Sequence, residues 1–383
     1  MVVGVVVIVA VLLPVGARAI ANEYNDDSVW ANSLRAVAGL QEGFDFEIFM
    51  QAGRAVRHGD SPYVDPDGAF AENGPAPYAY PPVLAFLVAP FTLLPETVSG
   101  SSTPGVLFTL LLIACTVGAL FVLEVADWRC YPVALLYPVT LQNVQYGSIG
   151  PILALLVALG WRYRDRVAWA AAAIGSVVAL KLFLWPLVVW LAATRRFAAA
   201  LAAAGTAVAL AFLTWALIGF GGLTDYPTLL RRLTDLEAEN SYSAFALLRA
   251  VDVPEVAARV LVVASGVALL VLAWRAARAT TPQAGERDRR SLTLILAAGL
   301  VLTPILWLHY LVLLVVPIAL ARPRLSALWF APLALTVFEA LDWYGGWPRG
   351  DGPALASVAV VTTVVFAASL APRDSLRRLA ACL

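Results

Sequence analysis

Apolar segments follow one another almost from end to end of this chain, and that limits what it can fold into. A hydrocarbon core about 30 Å thick is crossed by roughly 20 apolar residues in a helix, which satisfies its own backbone polar groups. A soluble core has no room for so many runs. Of the 383 residues, 61% are hydrophobic and 14% charged, with a mean hydropathy of +0.80. Ordinary soluble domains are roughly 45–50% apolar and about 25% charged. The runs do not alternate with period two, which argues against a transmembrane barrel. The expectation is an all-α polytopic membrane protein.

Twelve runs are expected to span: 2–20, 82–94, 105–123, 149–161, 167–180, 183–193, 197–220, 256–274, 292–303, 307–320, 325–341 and 353–370. The first lacks a basic start and is read as a span rather than a cleaved signal. A thirteenth run, 130–141, is short and carries Pro132 and Pro138, so it is expected as a re-entrant or half helix. That count puts Arg162/Arg164/Arg166, Arg195/Arg196, the 275–290 segment, Arg322/Arg324 and Arg373/Arg377/Arg378 on one side. These hold most of the basic residues, and the positive-inside rule makes that side cytoplasmic, together with both termini. The long polar loops, 21–81 and 221–254, then face the extracytoplasmic side of the cell membrane, within one membrane domain covering 1–383.

Other classes are disfavoured. A net charge of +0 gives no extended nucleic-acid surface. Cys115, Cys130 and Cys382 form no disulfide framework and no zinc spacing, and two histidines make a multi-histidine metal site unlikely to arise. No metal or cofactor is expected. There is no P-loop, no G-x-G-x-x-G after a strand and no H-E-x-x-H. No internal repeat is visible, which weakens a transporter reading.

The polar residues worth weighing lie in the loops of the outer face. In the first loop, Phe44, Ile48, Ala52 and Ala55 fall on one face of an amphipathic helix, stopped by Gly59 and Pro62. It is expected to lie along the membrane surface. Asp45 near its start reads either as an N-cap or as a general base. Glu47 points away from Asp45 on a helix and shares its face on an extended segment. Tyr78 and Tyr80, before Pro81-Pro82, read as an interfacial aromatic belt or as sugar contacts. Gln142 and Asn143 read as a solvated turn or as partners for sugar hydroxyls. Lys181, the single lysine, is either a snorkelling interfacial residue or a point charge for a lipid phosphate. Arg231 and Arg232 belong to a mixed-charge surface helix or contact an anionic headgroup. His309 is a buried hydrogen-bonded histidine or a partner for phosphate or base.

An ordered set of motifs carries a resemblance. It runs from Phe44-Asp45-x-x-x-Phe49 through Gly59-Asp60-Ser61-Pro62-Tyr63, Tyr78-x-Tyr80-Pro81-Pro82, Pro90 and Pro95. It continues with Asn143-x-x-x-Gly147, Lys181 and Pro186 ahead of Arg195-Arg196, Asn240-Ser241-x-Ser243, and Trp307-x-His309-Tyr310. In this the chain resembles glycosyltransferase family 87 of the GT-C superfamily. These are polyprenol-phosphate-mannose-dependent α-mannosyltransferases of the bacterial envelope. The resemblance implies a GT-C fold, a polyprenyl-phosphate sugar donor, a glycolipid or glycan acceptor, and a site among membrane lipids. It also implies Asp45 as the base, with His309 near the donor phosphate or the acceptor. The family's paired histidines are not reproduced, since Tyr310 follows His309. Two rivals share the pattern: a flippase for a lipid-linked precursor, and a protein-mannosyltransferase-like enzyme with Asp45-x-Glu47 as an acidic pair.

Overall fold

The computed structural model describes residues 35, 37, 43–63, 77–98, 101–238, 241–280, 284–335 and 351–370. The 2–20 run, Asn240, the end of the 325–341 run, Arg373, Arg377 and Arg378 lie outside the described residues. The helices are α1 Phe44–Arg57, α2 Pro82–Val88, α3 Thr103–Val122, α4 Cys130–Leu135, α5 Pro138–Tyr146, α6 Gly150–Arg162, α7 Val167–Leu180 and α8 Pro186–Ala193. They continue with α9 Phe197–Leu217, α10 Tyr226–Glu237, α11 Ala244–Ala250, α12 Glu255–Arg278, α13 Ala284–Leu302, α14 Val315–Ala321 and α15 Asp351–Leu370. Short 3-10 segments cover Ala89–Leu93, Leu182–Leu184, Leu308–Leu314 and Ala327–Leu333. One two-residue antiparallel ladder sets Thr97 opposite Ser102 and Val98 opposite Ser101.

Among the described residues, α3, α9 and α12 are each long and apolar enough to cross a membrane alone. Helices α5 and α6 qualify together, with a bend of 119° between them. Proline explains much of the shortfall from unbroken spans. Pro82, Pro138 and Pro186 start helices, where a missing N–H costs nothing. Pro332 sits inside a 3-10 segment, where a regular helix would lose a hydrogen bond. The apolar runs thus set the environment, and the prolines set where a helix restarts.

In the sequence, 82–94 reads as a crossing run and 130–141 as a half helix on the Asp45 side. In the fold the 82–96 segment packs against α1. Arg57 Nη1 donates to the Thr92 carbonyl at 3.0 Å and to its hydroxyl at 2.8 Å, and Arg54 approaches Glu96 at 3.5 Å. A Cβ on Gly53 would meet the Ala89 backbone at 3.2 Å. Residues 124–127 lie at the other end. Glu124 pairs with Arg162 at 2.8 Å, Ala126 N donates to Pro323 O at 3.2 Å, and Leu325 N donates to Asp127 at 3.1 Å. Helices α4 and α5 therefore return from that end to α1, broken at Pro138, where Tyr137 Oη donates to Trp329 O at 2.6 Å.

The arginine loops gather at that far end. The buried Asp288 carboxylate receives Arg164 at 2.9 Å and Arg196 at 2.7 Å, and the Trp190 indole donates to the Asp288 carbonyl at 3.2 Å. Arg196 also reaches Asp165 at 2.7 Å, and Arg278 donates to Ala193 O at 2.8 Å.

The expected amphipathic helix is α1, ended by Gly59 at φ +82°. Its buried face differs from the expected one: it carries Phe46, Phe49, Met50, Ala52, Gly53 and Val56, while Phe44 is 59% exposed. The reason is aromatic packing. Phe46 stacks on Phe108 at 4.5 Å and meets Phe91 edge-on at 6.2 Å, and such rings bury more area than the aliphatic alternative.

Candidate active site

Two glycines bring α1 onto the end of α5. A Cβ on Gly43, the N-cap of α1, would lie 2.2 Å from the Tyr146 carbonyl carbon. Gly147 closes α5 at φ +67°, and a Cβ there would lie 2.5 Å from Phe46 Cβ. No other residue fits either backbone contact. The approach seats Asp45 on Ser148, whose buried hydroxyl donates to Asp45 Oδ2. Since the cap position is Gly43, the Asp45 carboxylate makes no cap and turns toward the site instead.

Asn143 ties the second wall in place. It is fully buried, and its amide nitrogen donates to His309 O at 2.8 Å and to Val139 O at 2.6 Å. Its amide oxygen accepts from Gly150 N at 3.0 Å, the first residue of α6. Both ends of the amide are thus spent on backbone, joining α5, α6 and the Leu308–Leu314 segment. His309 is buried, and its Nε2 lies 3.9 Å from Asp45 Oδ2 with no hydrogen-bond partner among the described residues. A buried polar atom left unpaired costs roughly 1–3 kcal/mol.

Lys181 closes the third side. Helix α7 ends at Leu180, and Lys181 turns extended before the Leu182–Leu184 segment. Its Nζ sits 3.7 Å from the centre of the Tyr80 ring and 4.3 Å from that of Tyr310. Among the described residues no carboxylate lies within 4.0 Å of it. Tyr80 packs edge-on against Phe49 of α1 at 5.0 Å, and Tyr310 stacks on Phe183 at 5.4 Å. Three tyrosine hydroxyls fix the segment that carries Tyr80. Tyr226 donates to Ala79 O at 3.2 Å, Tyr63 to Tyr80 O at 2.8 Å, and Tyr78 to Pro81 O at 2.9 Å. Pro81 and Pro82 supply no N–H there, so side-chain donors from three segments do the fixing.

Between these walls lies a small cavity, lined by Tyr80, Ser148, Lys181, Phe183, His309 and Tyr310 among others. Burial raises the Asp45 carboxyl above the ordinary carboxylate range, against the opposing hydrogen bond from Ser148 and the charge of Lys181. Burial likewise pulls the Lys181 ammonium down to about 7, against the opposing charge of Asp45. A carboxylate raised toward neutrality is suited to take a proton, and a cation with no fixed counter-ion is suited to meet an anion.

Of the residues singled out in the sequence, Lys181, His309 and Tyr80 line this cavity, and Asp45 stands behind it against Ser148 and His309. Tyr78 is buried behind it, holding the Pro81 carbonyl. Asn143 and Gln142 are buried on α5 and do not line it. Glu47 is exposed and points away from Asp45, as helical spacing requires. Arg231 is exposed and Arg232 partly buried on α10, away from the lining. Ser148 escaped sequence reasoning. The signal available was its place directly after Gly147, where a helix-ending turn projects the next side chain.

The model of glycosyltransferase family 87 matches residues 78–304. No curated protein and no solved structure matches the chain. The matched stretch contains Tyr80, Ser148 and Lys181, starts after Asp45 and ends before His309. It covers more than half of the 383 residues, and with the apolar helices of the fold it shows that this chain belongs to glycosyltransferase family 87, a family of membrane glycosyltransferases.

Proposed function

We propose that the chain moves a mannosyl, or another hexosyl, group from a polyprenyl-phosphate sugar to a lipid or glycan acceptor. The observation that carries this reading is that Lys181 and His309 line one cavity and Asp45, from a third distant part of the chain, stands 3.9 Å from His309 at its edge. The donor's lipid tail stays in the bilayer and its phosphate enters the cavity. An acceptor hydroxyl attacks the anomeric carbon, and the bond from that carbon to the phosphate oxygen breaks. Asp45 takes the hydroxyl proton as the new bond forms, a contribution of about 10²–10⁴ in rate. Lys181 meets the charge growing on the departing phosphate monoester, and His309 Nε2 supplies a further polar contact. The single displacement inverts the anomeric centre, so a β-linked donor gives an α-linked product. Holding both lipids at one interface supplies much of the orientation.

In this reading the fold is of GT-C type with about twelve spans, counting the broken ones. The Asp45 end faces the extracytoplasmic side of the plasma membrane, with the arginine loops and both termini in the cytoplasm. The arginine-rich end supports that orientation through the positive-inside rule. The test is transfer of radiolabelled mannose from polyprenyl-phosphate mannose to a lipid extract by purified wild type. Transfer supports the donor assignment. Transfer only from other polyprenyl-phosphate sugars replaces mannose, and transport without transfer sends the reading to a flippase.

A further inference from the structure

We propose that Ser148 is a positioning residue for the base: its hydroxyl, donated to Asp45 Oδ2, fixes the carboxylate's orientation and sets its proton affinity. The inference rests on the reading of Asp45 as the base. Three observations carry it. First, the Ser148 hydroxyl is buried and its proton goes to Asp45. Second, no donor among the described residues reaches Asp45 Oδ1, so the bond to Oδ2 leaves Oδ1 as the oxygen open to an incoming hydroxyl. Third, the partners are locked into register by backbone, through the Gly43–Tyr146 and Gly147–Phe46 approaches, and Ser148 N itself donates to Asn143 O at 2.9 Å. Ser148 has little freedom to turn elsewhere.

A hydrogen bond to the charged form of a carboxylate favours that form, whereas burial disfavours it. Ser148 therefore works against the burial that raises Asp45. It favours the ionised form of the base against the effect of burial. The other groups facing Asp45 are Lys181 from the turn after α7, His309 and Tyr310 from the Leu308–Leu314 segment, and Tyr80 from the segment before α2. None of them is altered by changing Ser148.

The experiment reads Asp45 directly. In full-length protein reconstituted in lipid nanodiscs, the protonated-carboxyl infrared band that disappears in Asp45→Asn is titrated in wild type, Ser148→Ala and Ser148→Thr. Ser148→Ala is expected to move the Asp45 titration to higher pH by about one unit or more. Ser148→Thr, which keeps a hydroxyl, is expected to restore the wild-type value. In the transfer assay the acid limb of kcat/KM should shift the same way, with kcat on the plateau falling roughly tenfold from misorientation. An unmoved titration in Ser148→Ala overturns the inference, whatever donor the enzyme uses. Wild-type transfer rates in Asp45→Asn would instead overturn the reading of the base, a result that the infrared titration keeps separate.

Discussion

At the arginine-rich end, Asp288 is buried and held by Arg164 at 2.9 Å, Arg196 at 2.7 Å and its own backbone contact to Trp190. At the opposite end, Lys181 is half-buried between two tyrosine rings, and among the described residues the His309 Nε2 stands 3.9 Å from Asp45 without a hydrogen-bond partner. Both ends take charge out of water, which costs several kcal/mol per ion unless partners compensate. At the first end the protein supplies the partners itself. At the second, in the proposed reading, the partners come from the bound donor. Charges paired within the fold hold helices together, whereas charges held apart around a cavity are available for chemistry.

The comparison breaks most visibly if Asp288 is removed. Asp288→Ala leaves Arg164 and Arg196 facing each other at low exposure and is expected to cost about 3–5 kcal/mol. Thermal unfolding of the detergent-solubilised protein checks the loss. Transfer per folded molecule should stay near wild type, because no part of that network touches the cavity. Lys181→Met is the converse. It removes an uncompensated, half-buried charge, so stability should hold or rise. Transfer kcat/KM should fall roughly 10–100-fold, the worth of a hydrogen bond to a charged phosphate. Lys181→Arg should not restore it, since the planar guanidinium cannot occupy the slot between Tyr80 and Tyr310 as a point charge.

The pH dependence sharpens the same contrast. Asp45 works as the anion, so activity is lost as pH falls through a carboxyl pKa that burial has raised. Lys181 works as the cation, so in the free enzyme activity is lost as pH rises through about 7. The profile of kcat/KM should therefore be a narrow bell, with limbs that belong to the coupled pair. In kcat the alkaline limb should move to higher pH, because bound phosphate favours the charged lysine. A flat profile from pH 5 to 9 contradicts the assignment. The smallest effect is expected from Tyr226→Phe. It frees the Ala79 carbonyl and loosens the segment under Tyr80 for about 1 kcal/mol. That should appear as a few-fold rise in KM for the donor, with little change in unfolding temperature.

Much of this was legible in the sequence for one physical reason. Lys181 and His309 are costly in apolar surroundings, so their presence between hydrophobic runs calls for a purpose, while Asp45 stood out at the start of the amphipathic helix in the first loop. Ser148 was illegible because a serine costs little almost anywhere, and its meaning comes from the turn at Gly147. The amide of Asn143 suggested sugar hydroxyls, but the fold spends it on three backbone groups where α5, α6 and the His309 segment meet. Apolar length alone does not show how a proline-broken run such as 82–94 packs against its neighbours. Contacts with α1, from Arg57 to Thr92 and from Gly53 to Ala89, decided that. The membrane class and the family followed from patterns long enough to survive such local exchanges.

The most direct test sets Asp45→Asn beside Asp288→Asn in nanodiscs, with sugar transfer and thermal unfolding measured on the same preparations. Asp45→Asn should lose transfer by about 10²–10⁴ with its unfolding temperature kept or raised. Asp288→Asn should lose stability and keep transfer per folded molecule. If Asp45→Asn transfers sugar like wild type, or if Asp288→Asn is the variant that loses transfer while staying folded, the cavity at Asp45 is not the catalytic centre.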